Sequence, residues 1–238
     1  MNRYLILLGS LCFMLQPTWA VDGLCGPAST QRSERPAQRY ASIDFSGWPL
    51  EGWRDVREER FPGLGQWTPV GEGITNLIPE GADEKALVAM KGGLGMASSV
   101  LEGDMARNLT AIAQMAFERK GAPSVLLRAQ VDGALTGEVL SLVLYEKGVN
   151  LWRYDGAKWH KAAAATFPVQ AGIYHRVKVR LAGPAATVWV DGKQVAHAAD
   201  IGLDAPGAIG LWAGEGPCYF KSLRIRYEDL ELTAASHK

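Results

Sequence analysis

The chain has 238 residues, with 25 Lys and Arg against 25 Asp and Glu, and 47% of its residues are hydrophobic. This balance supplies no excess of basic groups, so a nucleic-acid partner is not expected. The length suffices for one large domain with its own core.

The first twenty residues, MNRYLILLGSLCFMLQPTWA, join a positive start at Arg3 to an apolar stretch and a small-x-small site at Thr18-Trp19-Ala20. That pattern predicts a cleaved signal peptide, cut after Ala20. No later apolar run is long enough for a bilayer, so a secreted or periplasmic protein that is not membrane-embedded is expected. Residues 21–40 are rich in Pro, Ser, Arg and Gln and read as a flexible arm. A folded domain over 41–229 follows, and 230–238 read as a tail. Cys12 leaves with the signal, so an oxidising compartment leaves one possible pairing, Cys25 with Cys218.

Within the domain, Trp48, Trp53 and Trp67 sit in GWPLEGWR and GQWTPV and are read as packing residues. The stretch 98–121 is ambiguous. Ser99 to Glu102 has capping-box spacing and the residues favour a helix, but Leu109, Ala111, Ala113, Met115 and Phe117 alternate with Thr110, Ile112 and Gln114. A strand from Leu109 is preferred, with a helix as the alternative. SVLLRAQV and EVLSLVLYEKG add further strands.

LWRYDGAKWH, residues 151–160, is read as an aromatic hairpin with two registers open. A two-residue Asp155-Gly156 turn pairs Trp152 with Trp159 and places Tyr154 beside them on one face. A four-residue loop, Asp155 to Lys158, instead pairs Tyr154 with Trp159 and Trp152 with Lys161. In YHRVKVRLAG, Tyr174, Arg176, Lys178 and Arg180 point one way and His175, Val177, Val179 and Leu181 the other, a strand with one wet face. TVWVDGKQV carries an Asp191-Gly192 hairpin turn. GAIGLWAG and CYFKSLRIRYEDL close the series, the last with an irregularity between Phe220 and Leu223. About a dozen short strands without alternating helices predict an all-β fold, a two-sheet antiparallel jelly-roll sandwich.

The chain carries few motifs that mark catalysis. A retaining sandwich glycosidase needs two carboxylates about 5 Å apart, as Glu-x-Asp-x-x-Glu supplies, and that motif is absent. The acids Glu228, Asp229 and Glu231 read as a solvated end. The four histidines have no metal-binding spacing, and no Gly-x-Ser-x-Gly or Asp-x-Asp-x-Asp-Gly occurs. No cofactor is expected, though structural calcium on backbone oxygens stays open. What remains are aromatics that can stack on sugar rings: Trp152, Tyr154, Trp159 and Trp212 are the candidate ligand-binding residues.

The segments YASIDFSGWPLEGWR, WTPVGEGITNLIP, APSVLLRAQ, YHRVKVRLAGPAATVWVDGKQV and GAIGLWAGEGPCYFKSLRI together resemble the 3-keto-disaccharide hydrolase family. The resemblance implies a concanavalin A-like sandwich, related also to laminin G-like domains. Two positions depart from the pattern: Ala122-Pro123-Ser124 stands where members often carry Asn-Ser-Gly, and Trp212-Ala213-Gly214 where they often carry Gln with an acidic residue or His. Three functions follow as expectations. The first is a non-catalytic, lectin-like protein binding an oligosaccharide or polysaccharide. The second is a glycoside-cleaving enzyme acting on 3-keto-glycosides, in which Arg128, Glu138 or Tyr145 converges with His175. The third is a structural or interaction sandwich with an envelope protein partner.

Overall fold

Strands of this chain fall where apolar residues recur at every second position. The computed structural model describes residues 39–58, 65–89, 96–132, 134–135, 137–228 and 230–232. Two antiparallel sheets face each other. The first runs Lys193–Ala198, Ala185–Val190, His175–Ala182, Leu109–Phe117, Cys218–Tyr227, Gly73–Asn76 and Trp67–Val70, with Arg39–Asp44 also paired to Cys218–Tyr227. The second runs Trp159–Thr166, Gly148–Tyr154, Val139–Tyr145, Gly121–Ala129, Gly207–Glu215, Ser98–Ala106 and Leu230–Leu232, with Trp53–Asp55 beside Ser98–Ala106. A small third sheet joins Arg57–Glu58, Ala134–Leu135 and Val131–Asp132, and one short helix spans Glu84–Ala89. Neighbours are often distant in sequence, as where Leu109–Phe117 lies between His175–Ala182 and Cys218–Tyr227. The fold is an all-β jelly-roll sandwich.

The ambiguous stretch forms two strands, Ser98–Ala106 and Leu109–Phe117, and no helix. Alternation overrides helix propensity because Leu109, Ala111, Ala113, Met115 and Phe117 all enter the core between the sheets. His175–Ala182 alternates strictly, burying His175, Val177, Val179 and Leu181. The irregularity in the last long strand lies between Phe220 and Ser222 and returns Leu223, Ile225 and Tyr227 to the core. Asp191 and Gly192 form a two-residue turn between Val190 and Lys193, with φ of 49° and 84°. Positive φ at both positions is what a type I′ hairpin requires.

Trp48, Trp53 and Trp67 are packing residues here. Together with Phe45 and Phe220 they form a chain of edge-on and tilted rings, with centroids 5.6 to 6.3 Å apart. Cys218 is fully buried, where burial pushes its thiol up to about 12. Its proposed partner Cys25 lies outside the described residues, as do the signal peptide and all but the end of the arm. Pairing begins at Arg39, and Leu230–Leu232 adds a short strand where a tail was expected.

Candidate functional site

The second sheet has an inner and an outer face. Val125, Leu127, Leu140, Leu142, Leu151, Ile209 and Leu211 alternate into the main core. The residues between them form the outer face. Cross-strand pairing places one row across it, Ser98, Trp212, Ser124, Val143 and Asn150. The next row is Arg54, Val100, Gly210, Leu126, Ser141, Trp152 and Lys161.

The hairpin at 151–160 takes the four-residue loop: Tyr154 pairs with Trp159 and Trp152 with Lys161, with an irregularity between Leu151 and Trp152. Asp155 decides this register. Its Oδ1 accepts from the amides of Ala157 and Lys158 at 2.9 and 2.8 Å, and its Oδ2 meets His160 Nε2 at 2.5 Å. These contacts, the Lys158 amide first, hold the carboxyl well below the usual carboxylate range. A side chain bonding its own backbone two and three residues on favours the wider loop over a tight turn. Arg153 then faces His160 rather than Lys158.

The register still leaves Trp152, Tyr154, Trp159 and Trp212 on one face, but in two environments. Tyr154 is buried, its ring 5.3 Å from that of Trp159, within a small second core that also holds Val56, Val100, Leu126, Leu135 and Val139. That pair covers apolar residues. Trp152 and Trp212 are half-buried, and Trp212, like Trp159, packs one side against that second core. The Lys161 ammonium stands 4.9 Å from the Trp152 ring centre. Trp212 reaches along its own strand, so a Cβ placed on Gly214 would come within 2.8 Å of its Cη2. Glycine there keeps the indole down on the sheet.

Three strand spacings separate the positions of Trp212 and Asn150, about 14 Å in all. Between the tryptophans lie Ser124, Ser141 and Asn150, all buried. Ser124 Oγ and Asn150 Oδ1 make no hydrogen bond among the described residues. Buried polar atoms without partners are uncommon in folded proteins and suit a surface that exchanges hydrogen bonds with a ligand. Neither signal was readable from sequence, because Ser124 and Asn150 come into one row only through the pairing of three strands.

The other sequence candidates do not converge. Arg128, at φ of 51°, is fully buried and donates to the carbonyls of Arg107, Leu203 and Gly183. Glu138 accepts from Arg153 Nη2 at 2.5 Å, and Tyr145 ends its strand opposite Gly148. His175 belongs to the first sheet and borders a groove of about 480 Å³ with Phe167, Pro168 and Lys193. Its Nδ1 meets Asp191 Oδ2 at 2.7 Å and its Nε2 donates to the Gln170 carbonyl at 3.0 Å. The imidazole therefore ties the Asp191–Gly192 turn to the segment at Gln170. Among the described residues no group of three or more His, Cys, Asp or Glu is placed to hold a metal ion. No helix among them is long and apolar enough to cross a membrane.

Solved structures share this architecture. A carbohydrate-binding module CBM66 from Bacillus subtilis superposes with a TM-score of 0.55 at 15% identity, covering 73% of this chain and 94% of its own. A Bacillus licheniformis β-glucanase gives 0.57 at 11% identity, covering 79% and 97%. The κ-carrageenase from Pseudoalteromonas carrageenovora, in complex with a κ-carrageenan oligotetrasaccharide, gives 0.55 at 10% identity, covering 84% and 99%. At such identities the likeness is one of fold. No curated protein sequence matches the chain. The model of the 3-keto-alpha-glucoside-1,2-lyase-like domain matches residues 107–226, from the turn before Leu109–Phe117 to the end of the last long strand. The chain belongs to the family of 3-keto-alpha-glucoside-1,2-lyase-like domains.

Proposed function

We propose that this protein is an exported, non-catalytic carbohydrate-binding sandwich, and that an oligosaccharide or a stretch of polysaccharide lies across the outer face of the second sheet. One observation carries the reading. Ser124 and Asn150 share a row with Trp212, Trp152 stands two residues from Asn150 on its strand, and Ser124 Oγ and Asn150 Oδ1 are buried with no partner among the described residues. Aromatic rings supply the apolar surface that a pyranose C–H face covers, and hydroxyl and amide groups take up the sugar hydroxyls. The described side chains between the two rings are Ser, Asn, Val and Leu. Ser and Asn hold hydroxyls; moving a proton to or from a glycosidic oxygen takes an acid or a base within hydrogen-bond reach. Sugar ligands also suit a fold shared with a carbohydrate-binding module and a glucanase. Export rests on the first twenty residues.

The test is a glycan array of oligosaccharides, followed by titration of the best ligand. At least one oligosaccharide binds, and Trp212→Ala weakens it about 30-fold, the effect of losing an aromatic anchor of about 2 kcal/mol. Gly214→Ala weakens the same ligand by lifting the ring, while circular dichroism and the melting temperature stay at wild-type values. An array without any bound glycan, or a Trp212→Ala variant of unchanged affinity, refutes the proposal.

A further inference from the structure

The even charge balance of the chain conceals a strongly uneven distribution. On the outer face of the first sheet, opposite to the tryptophan face, strand alternation sends Arg176, Lys178 and Arg180 outward from His175–Ala182. Arg224 and Arg226 point outward from Cys218–Tyr227. The Leu109–Phe117 strand lies between these two and contributes only uncharged side chains, so its neighbours' cations line up on either side. One row across the face reads Thr187, Arg180, Thr110, Arg226 and Tyr40. The next reads Trp189, Lys178, Ile112, Arg224 and Ser42, and the third includes Arg176, Gln114 and Ser222.

Few acids answer these cations. Glu228 accepts from Arg226 at 2.8 Å and stands 3.6 Å from Arg180. Asp44 lies at the border, opposite Ser222. No described carboxylate pairs with Arg176, Lys178 or Arg224. A second observation points to a ligand. Thr110, between Arg180 and Arg226, is 8% exposed, and its Oγ1 has no partner among the described residues. The Nε of Arg226 is likewise buried and unpartnered.

We infer that this face binds an anionic polysaccharide, one bearing carboxylate or sulfate groups, independently of the tryptophan face. The charge is complementary to such a polymer, and cations on alternate strands stand about 10 Å apart, a spacing that an extended chain can follow. Thr110 lies between two cations, and Thr187, Gln114 and Ser222 put further hydroxyl and amide groups beside them, which suits a ligand rich in hydroxyls. Nucleic acid fits less well. A flat sheet face does not enter a duplex groove. Polyanion binding on one side and sugar binding on the other would let the protein stay on an acidic matrix while it engages a second glycan.

The experiment is affinity electrophoresis of the full chain in native gels containing dextran sulfate, polygalacturonate or neutral dextran. Dextran sulfate or polygalacturonate retards the wild type and dextran does not, and the retardation falls steeply between about 50 and about 200 mM salt. Lys178→Glu combined with Arg224→Glu loses at least about tenfold of the apparent affinity while the melting temperature holds. Glu228→Gln, which removes the internal anion, increases retardation. Trp212→Ala leaves it unchanged, so failure of this inference is separable from failure of the sugar-binding proposal. Equal retardation of the wild type and the double variant overturns it. So does tighter binding to duplex DNA or to phosphatidylglycerol vesicles than to either acidic polysaccharide at the same charge concentration.

Discussion

Arg128→Met lowers the midpoint of thermal unfolding by about 10 °C, the equivalent of about 3–5 kcal/mol in a domain of this size. The side chain is 0% exposed, and its guanidinium donates to three carbonyls, those of Arg107, Leu203 and Gly183. Those carbonyls belong to turns and connections at one end of the sandwich, where the strands do not saturate them. Methionine fills the space but leaves the carbonyls dry and unpaired, and each such group costs about 1–3 kcal/mol before the regained apolar burial offsets part of it. Arg128→Lys keeps the charge without the planar fork that reaches several acceptors at once, so its midpoint falls between the two. Circular dichroism melts distinguish these cases. A change below about 2 °C for Arg128→Met would show that the carbonyls find other donors.

Trp67→Ala costs a further large share of stability, about 3–5 kcal/mol, and lowers the urea midpoint by about 1–2 M. The indole is 7% exposed, packs edge-on to Phe220 at 5.6 Å, and donates from Nε1 to Ser99 Oγ at 2.7 Å. Because Trp67 belongs to the first sheet and Ser99 to the second, the loss opens a cavity and removes a bond between the layers. Glycan affinity per folded molecule stays unchanged, the reverse of the pattern expected for Trp212→Ala. Together the two variants sort tryptophans that composition alone cannot distinguish.

Much of the fold was legible because strands announce themselves by parity. Leu109 to Phe117 and His175 to Leu181 alternate without error, and each became a strand with the expected buried face. The Asp191-Gly192 turn was readable because only a few dipeptides tolerate positive φ at both positions. The Asp155 hairpin was readable only as a choice. Its register turned on whether one carboxylate would cap a wider loop, and the composition of LWRYDGAKWH suits both. Arg128 misled for a related reason. It lies where a strand bulges against Gly207–Glu215, and the positive φ turns an ostensibly outward side chain back between the layers.

What the sequence determined by itself was therefore local: apolar period, turn chemistry and the family pattern that spans them. These depend on neighbours in the chain, and two-residue periodicity carries them to the level of a two-sheet sandwich. Only the tertiary structure decided which strands adjoin. Ser124 meets Trp212 because Gly121–Ala129 pairs with Gly207–Glu215, and it is linked to Asn150 through Val143. In the same way, Arg180 and Arg226 flank Thr110 although more than forty residues separate them along the chain. An overall charge of zero shows no excess of basic groups, yet pairing gathered cations from two distant strands on one side. The physical reason is that a sheet face is assembled across the hydrogen-bonding direction, whereas sequence order runs along the strands.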